Sequence, residues 1–176
     1  VQRMRIALTG PHGSGKTTVL RALDTTLTKV PSCTREILNV SKGLFKLALD
    51  DQQQYILMRS AVIAQMEDII VDRCLLDAMA YTWWLRENKN QVFNSLQLGA
   101  KLLPYVRNFD HVFIFPPVAS AVDDGTRWTD PISARYVYDV ITKTVEQMGV
   151  QHTFIPEGST VQERVNIVKE KLNELS

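Results

Sequence analysis

The feature that most constrains the fold of this chain is a glycine-rich segment, Gly10–Thr17, with the pattern G-x-x-x-x-G-K-T. It follows an apolar run, Arg5–Thr9, that is typical of a strand, and it leads into Thr17–Leu23, which has helical character. Glycines permit a tight turn in which successive backbone N–H groups point inward, so the segment predicts a cradle for phosphate groups. A glycine-rich turn that only connects two elements is the alternative.

The residue types within this segment fit such a cradle. Lys16 offers a positive charge to the outer phosphates of a nucleotide, and Thr17 offers a hydroxyl to Mg²⁺. The predicted nucleotide-binding residues are Gly10, Gly13, Ser14, Gly15, Lys16 and Thr17.

Length and composition describe one ordinary domain, residues 1–176. The 20 Lys and Arg against 19 Asp and Glu give a net charge of +1, so nothing global favours nucleic acid or an anionic membrane. The two cysteines, Cys33 and Cys74, are too few for a disulfide framework and lack the paired spacing of a zinc site. No apolar run approaches the ~20 residues of a membrane span. We expect a soluble protein of the cytoplasm.

Apolar periodicity predicts alternating strands and helices. Five short apolar runs are predicted strands: Arg5–Thr9, Ser32–Arg35, Ile69–Asp72, His111–Phe115 and Thr153–Ile155. Apolar residues spaced by three and four predict helices over Ala134–Met148 and Val161–Leu175. This order predicts an α/β fold, a five-stranded parallel sheet with helices on both faces, whose ligands bind at the carboxyl ends of the strands.

Asp72 and Arg73 stand at the carboxyl end of the third predicted strand. A carboxylate there can hold the water shell of Mg²⁺ or accept a proton from an attacking hydroxyl, and an arginine offers a fork of donors to phosphate. A cap for the following helix is the alternative for Asp72, and it is compatible with catalysis.

The polar stretch after the fourth strand predicts a lid over about residues 122–136. A closing lid can deliver Arg127 and Arg135 to the negative charge that spreads over a transferring phosphoryl group. The alternative is that both are solvated surface arginines. Farther along, Glu157–Thr160 is interpreted either as backbone contacts to a nucleotide base or as a helix cap completed by Glu163.

The chain resembles the small P-loop kinase-like ATPases related to nicotinamide riboside kinases, deoxynucleoside kinases and thymidylate kinase. Gly10–Thr18 is similar to their phosphate loop, and Thr34–Glu36 to the end of their second strand. Asp72–Tyr81 is similar to their D-R-S-L-L-D-x-x-A-Y block, although Cys74 stands in place of the serine, and Asp124–Arg127 to their D-G-x-R lid.

This resemblance implies a three-layer P-loop fold of nucleoside or nucleotide kinase type with a lid. It adds Thr18 to the phosphate loop, and it implies that Glu36 faces the acceptor and that Gln65 lies on the substrate-side helix. Glu36 is alternatively an ordinary glutamate in the first turn of a helix. The expected substrate-binding residues are Arg35, Glu36, Gln65 and Arg73.

The expected function is transfer of the γ-phosphate of ATP, with Mg²⁺, to a nucleoside- or nucleotide-like acceptor. The expected catalytic residues are Lys16, Glu36, Asp72, Arg73, Arg127 and Arg135, and the expected Mg²⁺ site is Thr17 with Asp72, through water. Whether Glu36 or Asp72 is the general base stays open.

Two other functions also stay open. One is phosphorylation of a hydroxymethylated pyrimidine, 5-hydroxymethyluracil, in DNA, as in relatives encoded by bacterial viruses. The other is a nucleotide-dependent switch, which the lack of an N-K-x-D element disfavours. We expect a monomer or homodimer without a membrane partner, in the host's cytoplasm if a virus encodes it.

Overall fold

The computed structural model describes residues 3–11, 13–31, 58–72, 104–118 and 131–176. Within these ranges the sheet has five strands, all parallel, in the order β2-β3-β1-β4-β5. The strands are β1 (Arg5–Thr9), β2 (Thr28–Val30), β3 (Ile69–Asp72), β4 (His111–Ile114) and β5 (His152–Phe154). The predicted α/β fold with a five-stranded parallel sheet is confirmed.

Helices cover both faces of the sheet. Three have bounds inside the described ranges: α1 (Lys16–Ala22), α2 (Pro131–Met148) and α3 (Val161–Leu175). Residues 58–64 and 104–107 are also helical. None of the helices in the described part of the chain is both long enough and apolar enough to cross a membrane.

Successive side chains of the strands point to opposite faces, which divides the core into two clusters. On β1, Ile6 and Leu8 pack with α1 and α3, whereas Ala7 packs on the side of α2. All four residues of β3 are buried, as expected for a strand with helices on both faces. The three layers implied by the sequence resemblance are therefore present.

The observed bounds differ from the predicted ones mainly at the second strand. The structure forms β2 from Thr28–Val30, ahead of the predicted segment 32–35, which lies outside the described residues. Of this edge strand only Val30 is buried, so its apolar signal is weak. The fifth strand begins at His152 instead of Thr153, and residues 131–136 of the predicted lid form the beginning of α2. Lid residues 122–130 lie outside the described ranges.

His111 at the start of β4 is a buried histidine without a visible role in binding. Its Nε2 lies 2.7 Å from the Thr153 hydroxyl, and its ring makes an edge contact with Phe113 at 5.0 Å. Burial, assisted by the nearby charges of Lys171 and His152 and opposed by Glu174, lowers the pKa of His111 from 6.5 to about 4.

We expect His111 to make the protein less stable as the pH falls from 6.5 towards 4. In this window His111 binds a proton in the unfolded chain but not in the folded protein. Acidification therefore lowers the free energy of unfolding by up to ~1.4 kcal/mol per pH unit. Denaturant unfolding of wild type and His111→Gln across this window measures the effect, since the variant loses this contribution. Equal pH slopes for the two proteins would contradict the expectation.

Candidate functional site

The loop after β1 has a backbone that only glycines adopt without strain. Gly10, Gly13 and Gly15 have φ angles of 152°, 72° and 88°. At Gly10 a Cβ atom would also lie 2.5 Å from the carbonyl oxygen of Phe115, so the loop passes directly against the chain that leaves β4. Three glycines of the predicted cradle thus take conformations that a tight turn requires.

The side chain of Lys16 is buried against this loop and contacts its backbone. It is only 4% exposed, and its Nζ donates hydrogen bonds to the carbonyl oxygens of Gly10 and, at 3.2 Å, Pro11. Ser14 is also buried, and its hydroxyl has no hydrogen-bond partner among the residues that the structure describes. Thr18, in the first turn of α1, is exposed.

Sheet pairing brings Asp72 to the phosphate loop. β3 lies beside β1 with Asp72 opposite Leu8. Asp72, at the carboxyl end of β3, therefore lies next to the end of β1, where the phosphate loop begins. The Thr17 hydroxyl donates a 2.6 Å hydrogen bond to Oδ2 of Asp72. Asp72 is 2% exposed, and its other oxygen, Oδ1, has no hydrogen-bond partner within the described ranges.

These two side chains fit a Mg²⁺ ion. A buried carboxylate oxygen without a partner and a hydroxyl whose proton is already donated both present lone pairs, and hard divalent cations prefer oxygen ligands. Across the described segments, no group of three or more His, Cys, Asp and Glu side chains is arranged to hold a metal. The remaining ligands would therefore be water and phosphate oxygens, which Mg²⁺ commonly keeps.

Arg135 contacts the loop after β5. Its Nη1 donates to Glu157 Oε1 at 3.0 Å, and Asp139 lies 3.6 Å from its Nε. The side chain is 57% exposed, and the hydrogen bond to Glu157 and the charge of Asp139 raise its pKa. The structure thus brings Arg135 to the segment Glu157–Thr160, in which the predicted cap is confirmed: Thr160 and Glu163 form a capping box at the start of α3.

Gln65 is the one expected substrate-binding residue within the described ranges, and the structure does not bring it to this place. Gln65 is exposed in the turn that precedes β3, at the amino end of the sheet. Asp72 and the phosphate loop lie at the carboxyl ends, so Gln65 and the loop are on opposite edges. The remaining expected site residues are outside the described residues: Arg35, Glu36, Arg73 and Arg127.

One residue beside the loop was not anticipated from the sequence. Arg164 of α3 is 6% exposed, and its Nη1 donates a 2.7 Å hydrogen bond to the carbonyl oxygen of Ser14. The sequence did contain an indication that Arg164 is buried, because it lies four residues before the buried Val168 and thus on the apolar face of the helix. A charged residue at such a position is buried only if the structure provides partners.

The start of α3 also borders a pocket of about 430 Å³. The side chains and backbone of the β5–α3 connection and the first turns of the helix form its walls: Pro156, Glu157, Gly158, Ser159, Glu163, Asn166 and Ile167. Ser159 belongs both to this wall and to the contacts of Arg164, because its hydroxyl accepts a 2.9 Å hydrogen bond from Arg164 Nε. The pocket is thereby connected to the phosphate loop through one side chain.

The fold is similar to those of several solved kinase structures. Deoxyadenosine kinase from M. mycoides superposes with a TM-score of 0.75 at 18% identity, covering 98% of this chain and 100% of that one. The NadR protein in complex with NR gives 0.70 at 17%, covering 95% of this chain and 51% of that one. Thymidylate kinase from Ehrlichia chaffeensis gives 0.62 at 18%, covering 97% and 98%. The fold implied by the sequence resemblance, that of P-loop nucleoside and nucleotide kinases, is confirmed.

Sequence comparison gives the family. No curated protein sequence matches the chain. A family described as an AAA domain matches residues 5–164, from the start of β1 to Arg164, and so includes both the phosphate loop and Asp72. Because this match spans most of the sequence, the chain belongs to the AAA domain family.

Proposed function

We propose that the protein transfers the γ-phosphate of ATP, with Mg²⁺, to a nucleoside- or nucleotide-like acceptor. The observation that carries this proposal is the contact between Thr17, at the end of the glycine-rich loop, and the buried carboxylate of Asp72 on the adjacent strand. It joins a phosphate-binding element to an oxygen ligand for a cation, which are the two parts that phosphoryl transfer needs on the donor side.

On the donor side, the loop amides and Lys16 bind the phosphates. The triphosphate oxygens of ATP replace the carbonyls of Gly10 and Pro11 as acceptors for Lys16 Nζ. The positive charge of Lys16 then lies against the phosphates. Ser14, whose hydroxyl is buried next to these groups, offers a further donor. We propose the same binding function for Gly13, Gly15 and Thr18, together with Gly10.

Thr17 and Asp72 would hold Mg²⁺, Asp72 through water. The ion supplies neutralisation of the charge on the phosphate oxygens. For this, the Thr17 hydroxyl must keep its proton directed at Asp72, which leaves its lone pairs available. The alternative for Asp72, a cap on the following helix, concerns residues outside the described ranges.

In the reaction, an acceptor oxygen forms a bond to the γ-phosphorus while the bond from that phosphorus to the bridging oxygen of ADP breaks. The proton of an acceptor hydroxyl passes to a carboxylate, that of Glu36 or Asp72. Arg73, Arg35 and Arg127 neutralise the charge on the acceptor or on the moving group. Most of the catalytic effect is positioning.

Arg135 takes part in closure in this proposal. Its side chain bonds Glu157 on the β5–α3 connection, so movement of α2 changes the contacts of that connection. The connection also lines the 430 Å³ pocket, which we propose accommodates the nucleotide base. Gln65, at the opposite sheet edge, takes part in acceptor binding only if the acceptor site extends there.

Structures of similar fold support a nucleoside-like acceptor. The deoxyadenosine kinase from M. mycoides was solved with dCMP and dCDP, with dCTP and with dATP, and NadR with NR. Each of these compounds contains a ribose or deoxyribose. We further propose a single kinase domain over residues 1–176 that acts in the cytoplasm as a monomer or homodimer.

A screen with γ-labelled ATP and Mg²⁺ tests the function. The acceptors are nucleosides, nucleoside monophosphates, nicotinamide riboside and DNA that contains 5-hydroxymethyluracil, with an acceptor-free reaction as control. We expect label on one class of free nucleoside or nucleotide. Label on the DNA alone would favour the DNA kinase, and hydrolysis unaffected by every acceptor would favour the switch; either result overturns the proposal.

A further inference from the structure

Arg164 places a buried guanidinium against the back of the phosphate loop. Its Nη1 donates to the Ser14 carbonyl at 2.7 Å and its Nε donates to the Ser159 hydroxyl at 2.9 Å. The Ser159 hydroxyl in turn donates to the carbonyl of Pro156 at 2.6 Å. The guanidinium carbon lies 5.9 Å from the centre of the Phe115 ring. Contacts from three sides hold the arginine in one position.

The hydrogen bond to Ser14 fixes the direction of a loop amide. In a trans peptide the C=O and the following N–H point in opposite directions. With the Ser14 carbonyl directed at Arg164, the N–H of Gly15 points away from it, out of the far side of the loop. Gly15 also lets the guanidinium approach, because a Cβ there would lie 3.0 Å from Nη1.

Among the residues that the structure describes, no carboxylate forms an ion pair with Arg164. Burial lowers the pKa of its guanidinium. Arginine nevertheless stays protonated near neutral pH. A buried cation therefore lies directly behind the loop, and it favours an anion on the loop's other side.

We infer that Arg164 is a positioning residue for nucleotide binding: it orients the Ser14–Gly15 peptide towards the phosphates and adds a positive charge behind them. This inference rests on the proposed function, because it concerns the same phosphate loop. Through Ser159 it also connects the loop to the pocket wall at the start of α3. The contribution of Arg164 to binding affinity should grow with the number of phosphates on the ligand.

Calorimetric titration with ATP, ADP and AMP in the presence of MgCl₂ tests the inference. Arg164→Met keeps the bulk of the side chain but removes its charge and donors, so ATP is expected to bind about tenfold or more weakly, and AMP to be affected less. Arg164→Lys keeps the charge without the fork of donors and should recover part of the loss. Lys169→Met, which removes a charge from the same helix about 7.5 Å farther along its axis, should leave ATP affinity unchanged.

Thermal denaturation without nucleotide shows whether each variant is folded. If Arg164→Met does not fold, Arg164→Lys and Ser159→Ala provide the test, with a two- to threefold or greater loss of ATP affinity expected, again larger than the loss for AMP. Equal ATP affinity in folded variants and wild type, or equal losses for ATP and AMP, would overturn the inference. A wild-type protein that binds no ATP would instead overturn the proposed function.

Discussion

Replacement of Lys16 by alanine is expected to lower phosphate transfer by about 10³-fold. The ammonium group is buried inside the loop and is held by the carbonyls of Gly10 and Pro11, so it is positioned before any nucleotide arrives. Such a preorganised charge stabilises the phosphates most as negative charge moves onto the leaving group. The measurement is steady-state turnover with the acceptor that the screen identifies, together with ATP affinity by titration.

The Lys16→Ala result needs a folded variant and a control for charge. Most of the loop conformation is set by its glycines and by the contact with Phe115, so circular dichroism and the melting temperature should remain close to wild type. Lys29→Ala removes an exposed lysine from β2 and should keep full activity. If Lys16→Ala is folded and as active as wild type, Lys16 has no part in the reaction.

The second large effect is expected for Asp72→Asn, which should slow transfer by about 10²-fold while changing ATP affinity in the absence of Mg²⁺ only a few-fold. The amide preserves the shape of the side chain and can still accept from Thr17, but it removes a negative charge from a site with an unpartnered oxygen. The Mg²⁺ concentration required for half-maximal rate should rise. Single-turnover rates across a Mg²⁺ titration separate this effect from binding.

Asp24→Asn is a matched control for this substitution, because Asp24 is an exposed carboxylate after α1 and no part of the site. Its rate and Mg²⁺ requirement should equal those of wild type. Turnover of Asp72→Asn at the wild-type rate, with the same Mg²⁺ requirement, would remove Asp72 from the mechanism. A lower melting temperature alone, with normal kinetics, would assign it only a structural role.

Several parts of the fold could be predicted because their signals are local. Arg5–Thr9 and Ile69–Asp72 form strands with the predicted bounds, since continuous apolar runs bounded by turns indicate strands that are buried on both faces. The cap of α3 was one of two interpretations, and its residues lie within one turn of each other. β2 was not predicted because an edge strand with one buried residue has little apolar periodicity.

The site was predictable only in part. That Asp72 would stand at the phosphate loop followed from one general rule, that parallel strands bring their carboxyl ends to the same edge. The hydrogen-bond partner of Arg135 could not be predicted from the sequence. Glu157 lies on another element, and no sequence pattern indicates that it would accept a hydrogen bond from Arg135. The exposed position of Gln65 before β3 was likewise set by where the preceding helix ends.

The sequence by itself determined the backbone of the phosphate loop and the alternation of strands and helices, because glycine conformations and apolar spacing act over a few residues. The sequence also placed Asp72 near Thr17, because parallel strands bring their carboxyl ends to the same edge. Only the tertiary structure decided that the Thr17 hydroxyl donates directly to Asp72 and that Arg164 reaches Ser14 from the last helix. Contacts between such distant parts of the chain depend on how the layers pack, and no local pattern encodes them.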